Sequence, residues 1–186
     1  MSYFSYFRIG PDDDWQRPPE PQRAEPGQWP KLEAALAVVN RDVTATLPGQ
    51  DPLVLMVDEG RVHVAMPDGR WQGNPVNAQA PEEGDPLEPD DPDTVLTVVA
   101  DAAQETVVEL LWQVWPVCRE HRIGMHPRPP GTTDDWYEDA KHEAGPPVWW
   151  CRGSRDGNGH DVCPVGELAG TLPGKERRAL RRDRRR

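Results

Sequence analysis

The chain has 186 residues, of which 22 are proline and 36% are hydrophobic, so its folded core is small and much of its length is loop. A formal net charge of −11 argues against generic phosphate-backbone binding by the whole molecule. No window approaches the roughly 18–20 uninterrupted apolar residues of a membrane span, and residues 1–10 lack the successive regions of a secretory signal.

Three cysteines cannot all pair within one chain, and a cytosol keeps thiols reduced, so the expected setting is cytoplasmic. Only Lys31, Lys141 and Lys175 among the basic residues are lysine, an arginine bias that fits a GC-rich genome.

Residues 1–29 read as a disordered arm, because Pro18, Pro19, Pro21 and Pro26 forbid a continuous helix. Tyr3, Phe4, Tyr6 and Phe7 form an aromatic group within it. Residues 30–76 read as a helix followed by a β-hairpin. The helix covers 30–47, with Pro30 at its first position and an apolar stripe of Leu32, Leu36, Val39 and Val43. The strands cover 53–57 and 61–66 around Asp58-Glu59-Gly60. In the second, Val62, Val64 and Met66 alternate with Arg61, His63 and Ala65, as expected for one covered face, and Trp71 returns to the core.

Residues 77–93 hold seven acids, no basic residue and four prolines, which predicts an extended, solvated linker. Residues 94–170 read as a long helix plus a small module. The helix covers 94–115, with Asp93 as N-cap and Pro116 as terminator. Its first apolar face holds Val95, Val99, Ala103, Val107, Leu110 and Val114. A second stripe of Val108, Trp112 and Trp115 predicts another packing partner within the chain, the alternative being that Trp112 meets a different protein. Residues 171–186 form a basic tail.

Beyond the second helix stand Cys118 and His121, close enough for one turn to aim both side chains at a metal. Cys151 and His160 flank a Gly-rich loop, so a hairpin brings them together at its base. Two such pairs give a Cys2His2 set, and thiolate with imidazole favours Zn2+ over Mg2+ or Ca2+. His126 and Cys163 compete with His160 for the fourth position, although strand alternation puts His160 and Cys163 on opposite faces. The segment has little apolar mass of its own, and a metal is the available staple. His63 and His142 read as ordinary surface residues.

The run Trp115-Pro116-x-Cys118-x2-His121-x2-Gly124-x-His126, with Pro147-Val148-Trp149-Trp150-Cys151, Gly159-His160 and Val165-Gly166-Glu167-Leu168, resembles small uncharacterised proteins common in actinobacteria. The resemblance covers roughly residues 94–168 and carries a zinc-ribbon-like pattern. It implies that Cys118, His121, Cys151 and His160, with His126, belong to a shared set, from which Cys163 departs. It implies no activity.

The expected fold is α+β: two helices, a β-hairpin and a C-terminal zinc-ribbon-like hairpin between disordered termini. The expected function is a non-enzymatic accessory or regulatory protein with structural zinc and an unknown protein partner. A metal-dependent hydrolase with Glu120 as base is the first alternative; the sequence offers no H-E-x-x-H to support it. The second is a nucleic-acid accessory protein acting through 175–186, whose eight basic and two acidic residues give a local charge of +6. No aromatic residue is interleaved there for base stacking, so nucleic-acid contact is the weaker reading.

Overall fold

The computed structural model describes residues 20–77, 88–133, 143–154 and 159–183. The aromatic group at 3–7, most of the acidic linker, His142 and the tip of the Gly-rich loop lie outside them. The described residues combine helices with two three-stranded antiparallel sheets, an α+β architecture. In chain order the elements are β1 (Gln22–Arg23), α1 (Pro30–Thr46), β2 (Val54–Asp58), β3 (Arg61–Ala65) and α2 (Pro92–Leu111). They continue with β4 (His126–Arg128), β5 (Val148–Cys151), β6 (His160–Pro164), α3 (Leu168–Thr171) and α4 (Gly174–Asp183). None of the described helices is long and apolar enough to cross a membrane.

The first sheet has the order β1-β2-β3 and the second β4-β5-β6. One core joins both. Leu32, Leu36, Val39 and Val43 of α1 meet Leu55, Val62 and Val64 of the first sheet and Val95, Val99, Ala103 and Val107 of α2. Trp115, Met125, Trp149, Cys151 and Leu168 extend the same cluster into the second half. Thr106 of α2 is fully buried, with its Oγ1 2.8 Å from the Val64 carbonyl, which ties α2 to β3.

Both long helices use acids from the linker at their N-termini, where unsatisfied N–H groups carry partial positive charge. Glu88 Oε1 accepts from Lys31 N–H and Leu32 N–H at 3.1 and 3.0 Å. The Lys31 ammonium pairs with Asp90 at 2.7 Å. Asp91 caps α2 through Thr94 N–H at 2.7 Å, and Pro92 fills the next position. The helix therefore starts two residues before the predicted boundary, and the end of the linker is structural.

Several expectations need correction. Gln22 and Arg23, inside the segment read as an arm, pair with Val57 and Met56 and lengthen the sheet by an edge strand. Trp29, also in that segment, is buried. The second face of β3 is covered as well. Trp71 bridges Ala65 and stacks on His63 with centroids 4.9 Å apart, so it closes the outer side of the hairpin rather than joining the main core. His63 is consequently buried, and that burial lowers its pKa below the ordinary imidazole value.

The second helix ends at Leu111, four residues before the predicted terminus. Pro116 has no N–H for the Trp112 carbonyl and disfavours helical geometry at Trp115. Trp112 takes a left-handed conformation (φ 53°) and turns the chain off the helix axis. The 100° spacing that placed Trp112 and Trp115 on one stripe therefore stops applying. Trp115 enters the core, donating to Thr46 Oγ1 at 2.8 Å and packing edge-on against Trp149. Trp112 is 90% exposed, contrary to the expectation that it packs within the chain.

Asp42 fastens the second half to α1. It is completely buried and accepts Trp149 Nε1–H at 2.7 Å, Gly166 N–H at 2.6 Å and Leu168 N–H at 2.7 Å. Burial pushes its carboxyl above the usual range, and the three N–H groups pull it back. Gly166 has to be glycine: its φ is +92°, and a Cβ there would stand 2.5 Å from Val38 Cγ1. An asparagine at 42 would turn an amide N–H toward at least one of these donors. Asp42→Asn should lower the unfolding free energy in urea by about 2–3 kcal/mol; a change below about 0.5 kcal/mol would contradict the fastening role.

Candidate metal centre

Cys118 and His121 sit on a tight turn after α2. Cys118 N–H donates to the Ile123 carbonyl at 2.9 Å, and Arg122 N–H returns to the Cys118 carbonyl at 2.8 Å. A bridge between Val117 and Gly124 closes the base of the turn. Both side chains then face the same side, as the two-residue spacing requires.

The second pair comes from adjacent strands. Cys151, at the end of β5, stands opposite His160, at the start of β6. Gly153 N–H donates to Cys151 Sγ at 3.4 Å, which directs the sulfur inward. Gly159 lies against the Trp150 ring; a Cβ at that position would be 2.3 Å from Trp150 Cζ2. The absence of a side chain there lets β6 begin close enough for His160 to reach Cys118.

The ligand atoms of Cys118, His121, Cys151 and His160 all lie within 4.8 Å of one another. His121 Nδ1 is 3.7 Å from Cys118 Sγ and 3.5 Å from Cys151 Sγ. His160 Nε2 is 3.7 Å from Cys118 Sγ. A tetrahedral zinc, with bonds of about 2.3 Å to sulfur and 2.0–2.1 Å to nitrogen, has sulfur–nitrogen edges of about 3.5–3.6 Å. The observed edges fit that polyhedron. The two rings cross at 70° with centroids 5.0 Å apart, so both can present a nitrogen to one central point.

Both thiols are buried and the imidazoles are partly exposed. Burial raises the Cys151 thiol above its ordinary pKa; the Gly153 N–H opposes this, and the neighbouring Cys118 adds to it. Two thiols placed together away from water gain from a cation that can replace their protons.

The two competing residues stand elsewhere. His126 is exposed, and its Nδ1 is 3.2 Å from Gln104 Oε1 on α2. The Gln104 amide nitrogen meanwhile donates to the Trp115 and Met125 carbonyls. That leaves its oxygen as an acceptor, so His126 donates to it from Nδ1. Cys163 pairs with Trp149, beyond a register irregularity in the β5–β6 ladder, and lies near Asp42. Burial, with the charges of Asp42 and Glu167, pushes its thiol up to about 12.

Glu120 points outward. Its Oε1 is 3.8 Å from His121 Nε2 and its Oε2 4.0 Å from His160 Nδ1, the nitrogens that face away from the cluster. It does not sit beside the ligand atoms, where a base acting on metal-bound water would have to be.

Asp42 and Gln104 went unnoticed in the sequence. Asp42 had a signal, a single acid between Val39 and Val43 on the apolar stripe of α1. Gln104, beside Ala103 on α2, had none. Comparison of the chain with protein-family models, curated proteins and solved structures finds no match.

These positions predict a sharp division among variants. Cys118→Ser, Cys151→Ser and His160→Ala should each reduce metal bound after purification, while His126→Ala and Cys163→Ala should leave it unchanged. Elemental analysis reads the outcome, and loss of metal from Cys163→Ala would reassign the fourth donor. Because the Cys163 thiol ionises only near 12, its alkylation in the folded chain should stay slow from about pH 7 to 10. It should become rapid in denaturant, as peptide mapping would show.

Proposed function

We propose that Cys118, His121, Cys151 and His160 hold one structural zinc ion, and that the chain is an accessory protein that recognises another protein rather than an enzyme. The observation that carries the metal reading is the four-donor cluster, with sulfur–nitrogen edges of 3.5–3.7 Å. Two thiolates neutralise a divalent cation, and sulfur with imidazole selects zinc over the oxygen-seeking Mg2+ and Ca2+. Four protein donors complete a tetrahedron, whereas catalytic zinc keeps a position open for water or substrate. The outward position of Glu120 supports the same choice.

The ion would join the turn after α2 to the β5–β6 hairpin, adding to the β4–β5 pairing and the Trp115–Trp149 contact. Zinc binding to such a module is in large part its folding free energy.

The recognition role rests on the surface beside the centre. Trp112, Val114 and Val117 are 90%, 60% and 42% exposed, within six residues of one another. Val114 and Val117 border a cleft of about 500 Å³ lined by the apolar Leu47 and Leu172 and by the charged Arg119, Arg122 and Glu176. Single exposed apolar side chains are ordinary, but an exposed tryptophan two residues from the cleft-lining Val114 has the composition of an interface anchor.

Protein purified without an affinity tag should contain one equivalent of zinc. Its removal by a chelator should lower the melting midpoint by about 10 °C, as expected when several kcal/mol of binding free energy leave a domain of this size. Metal-free native protein with an unchanged melt would overturn the reading.

A further inference from the structure

We propose that Glu120 is a positioning residue for the metal centre, one carboxylate that orients both histidines by facing their outward nitrogens. The inference rests on the zinc reading above and assigns a role to a residue outside the ligand set.

An imidazole can ligate a metal only through a nitrogen that carries a lone pair, so in the neutral ring the proton must sit on the other nitrogen. The ring orientations fix which nitrogen is which. His121 turns Nδ1 to the two sulfurs, and His160 turns Nε2 to Cys118. The outward nitrogens are therefore His121 Nε2 and His160 Nδ1. Glu120 divides its oxygens between them, Oε1 at 3.8 Å from the first and Oε2 at 4.0 Å from the second. A negative charge there favours N–H on both outward atoms and a lone pair on both inward ones. A carboxylate behind a ligating histidine also raises the ring's basicity toward the metal.

The neighbours leave Glu120 available for this. Arg119, the adjacent cation in the chain, is engaged with Glu176 of α4 at 2.8 Å. Among the described residues, the nitrogens within 4.0 Å of the Glu120 carboxylate belong to His121 and His160. The tight Cys118–Ile123 turn places residue 120 on its outer side, next to both rings. At 3.8–4.0 Å these contacts are longer than direct hydrogen bonds, so the influence acts through charge, and the Glu120 side chain is 71% exposed. Such an interaction is open to screening by salt.

The test uses the full zinc-loaded chain and follows metal release to excess EDTA for wild type, Glu120→Gln and Glu120→Asp. Glu120→Gln keeps the shape and removes the charge. It should release zinc about 10-fold faster at low salt, the lower end of what outer carboxylates contribute. Glu120→Asp should recover part of the difference. The ratio between Glu120→Gln and wild type should narrow at about 1 M salt, where screening acts within about 3 Å; a purely structural defect would not respond in that way. Cobalt-substituted wild type and Glu120→Gln should share the same thiolate charge-transfer and ligand-field bands, because the four ligands are unchanged. Equal release rates from two loaded proteins would overturn the role of Glu120 alone, as would a cobalt spectrum showing a changed ligand set. Wild-type protein that takes up no metal would overturn the centre and this role with it.

Discussion

Two thiols and two imidazoles packed within 4.8 Å of one another are the constraint on which the second half of this chain depends. Buried sulfur and nitrogen donors facing each other are poorly served by their own protons: both thiols are buried, and each sulfur has an imidazole nitrogen 3.5–3.7 Å away. A divalent cation held there, as proposed, would turn that liability into a cross-link between two short pieces of chain. The turn at 118–123 and the β5–β6 hairpin are small, and what they bury is mainly Met125, Trp149, Trp150 and the two cysteines. The antiparallel pairing of β4 with β5 and the edge-on contact of Trp115 with Trp149 also hold the two together.

The module is also fastened to the rest of the molecule, by a different chemistry. Asp42 accepts three N–H groups from β5 and the β6–α3 connection, and Trp115 reaches Thr46 on the same helix. Both contacts fall on the C-terminal half of α1, so this helix serves as the common wall of the two sheets. The exposed Trp112 then follows from how the chain enters the module. Pro116 ends α2 early, the left-handed turn at Trp112 redirects the backbone, and the next tryptophan takes the buried position. One aromatic anchors the fold, and the neighbouring one is left outside.

Much of this was legible from residue spacing. The stripe Leu32–Leu36–Val39–Val43 is a local property of a 3.6-residue period, and the structure buries all four. The hairpin around Glu59-Gly60 is equally local, as both turn residues take positive φ. The four residues that cluster could be named because sulfur and imidazole are scarce and two of them share one turn. What distinguished His160 from His126 was tertiary: Gln104 engages His126 from α2, and glutamine in a helix announces no such role.

The misreadings have a common cause, which is that chain-distant neighbours override local pattern. Alternation along β3 indicated a single covered face, but Trp71 folds back over the other and buries His63. An acidic, proline-rich stretch indicated a solvated linker, but the N-termini of two helices converge on its end and recruit Glu88 and Asp91. Asp42 passed unremarked beside the apolar stripe because its three donors are all more than 100 residues away in the chain. Zinc K-edge absorption on untagged protein tests the central claim most directly. The account predicts a mixed shell of two sulfurs at about 2.3 Å and two nitrogens at about 2.0–2.1 Å. A shell of light atoms alone, or an edge with no zinc, would contradict it.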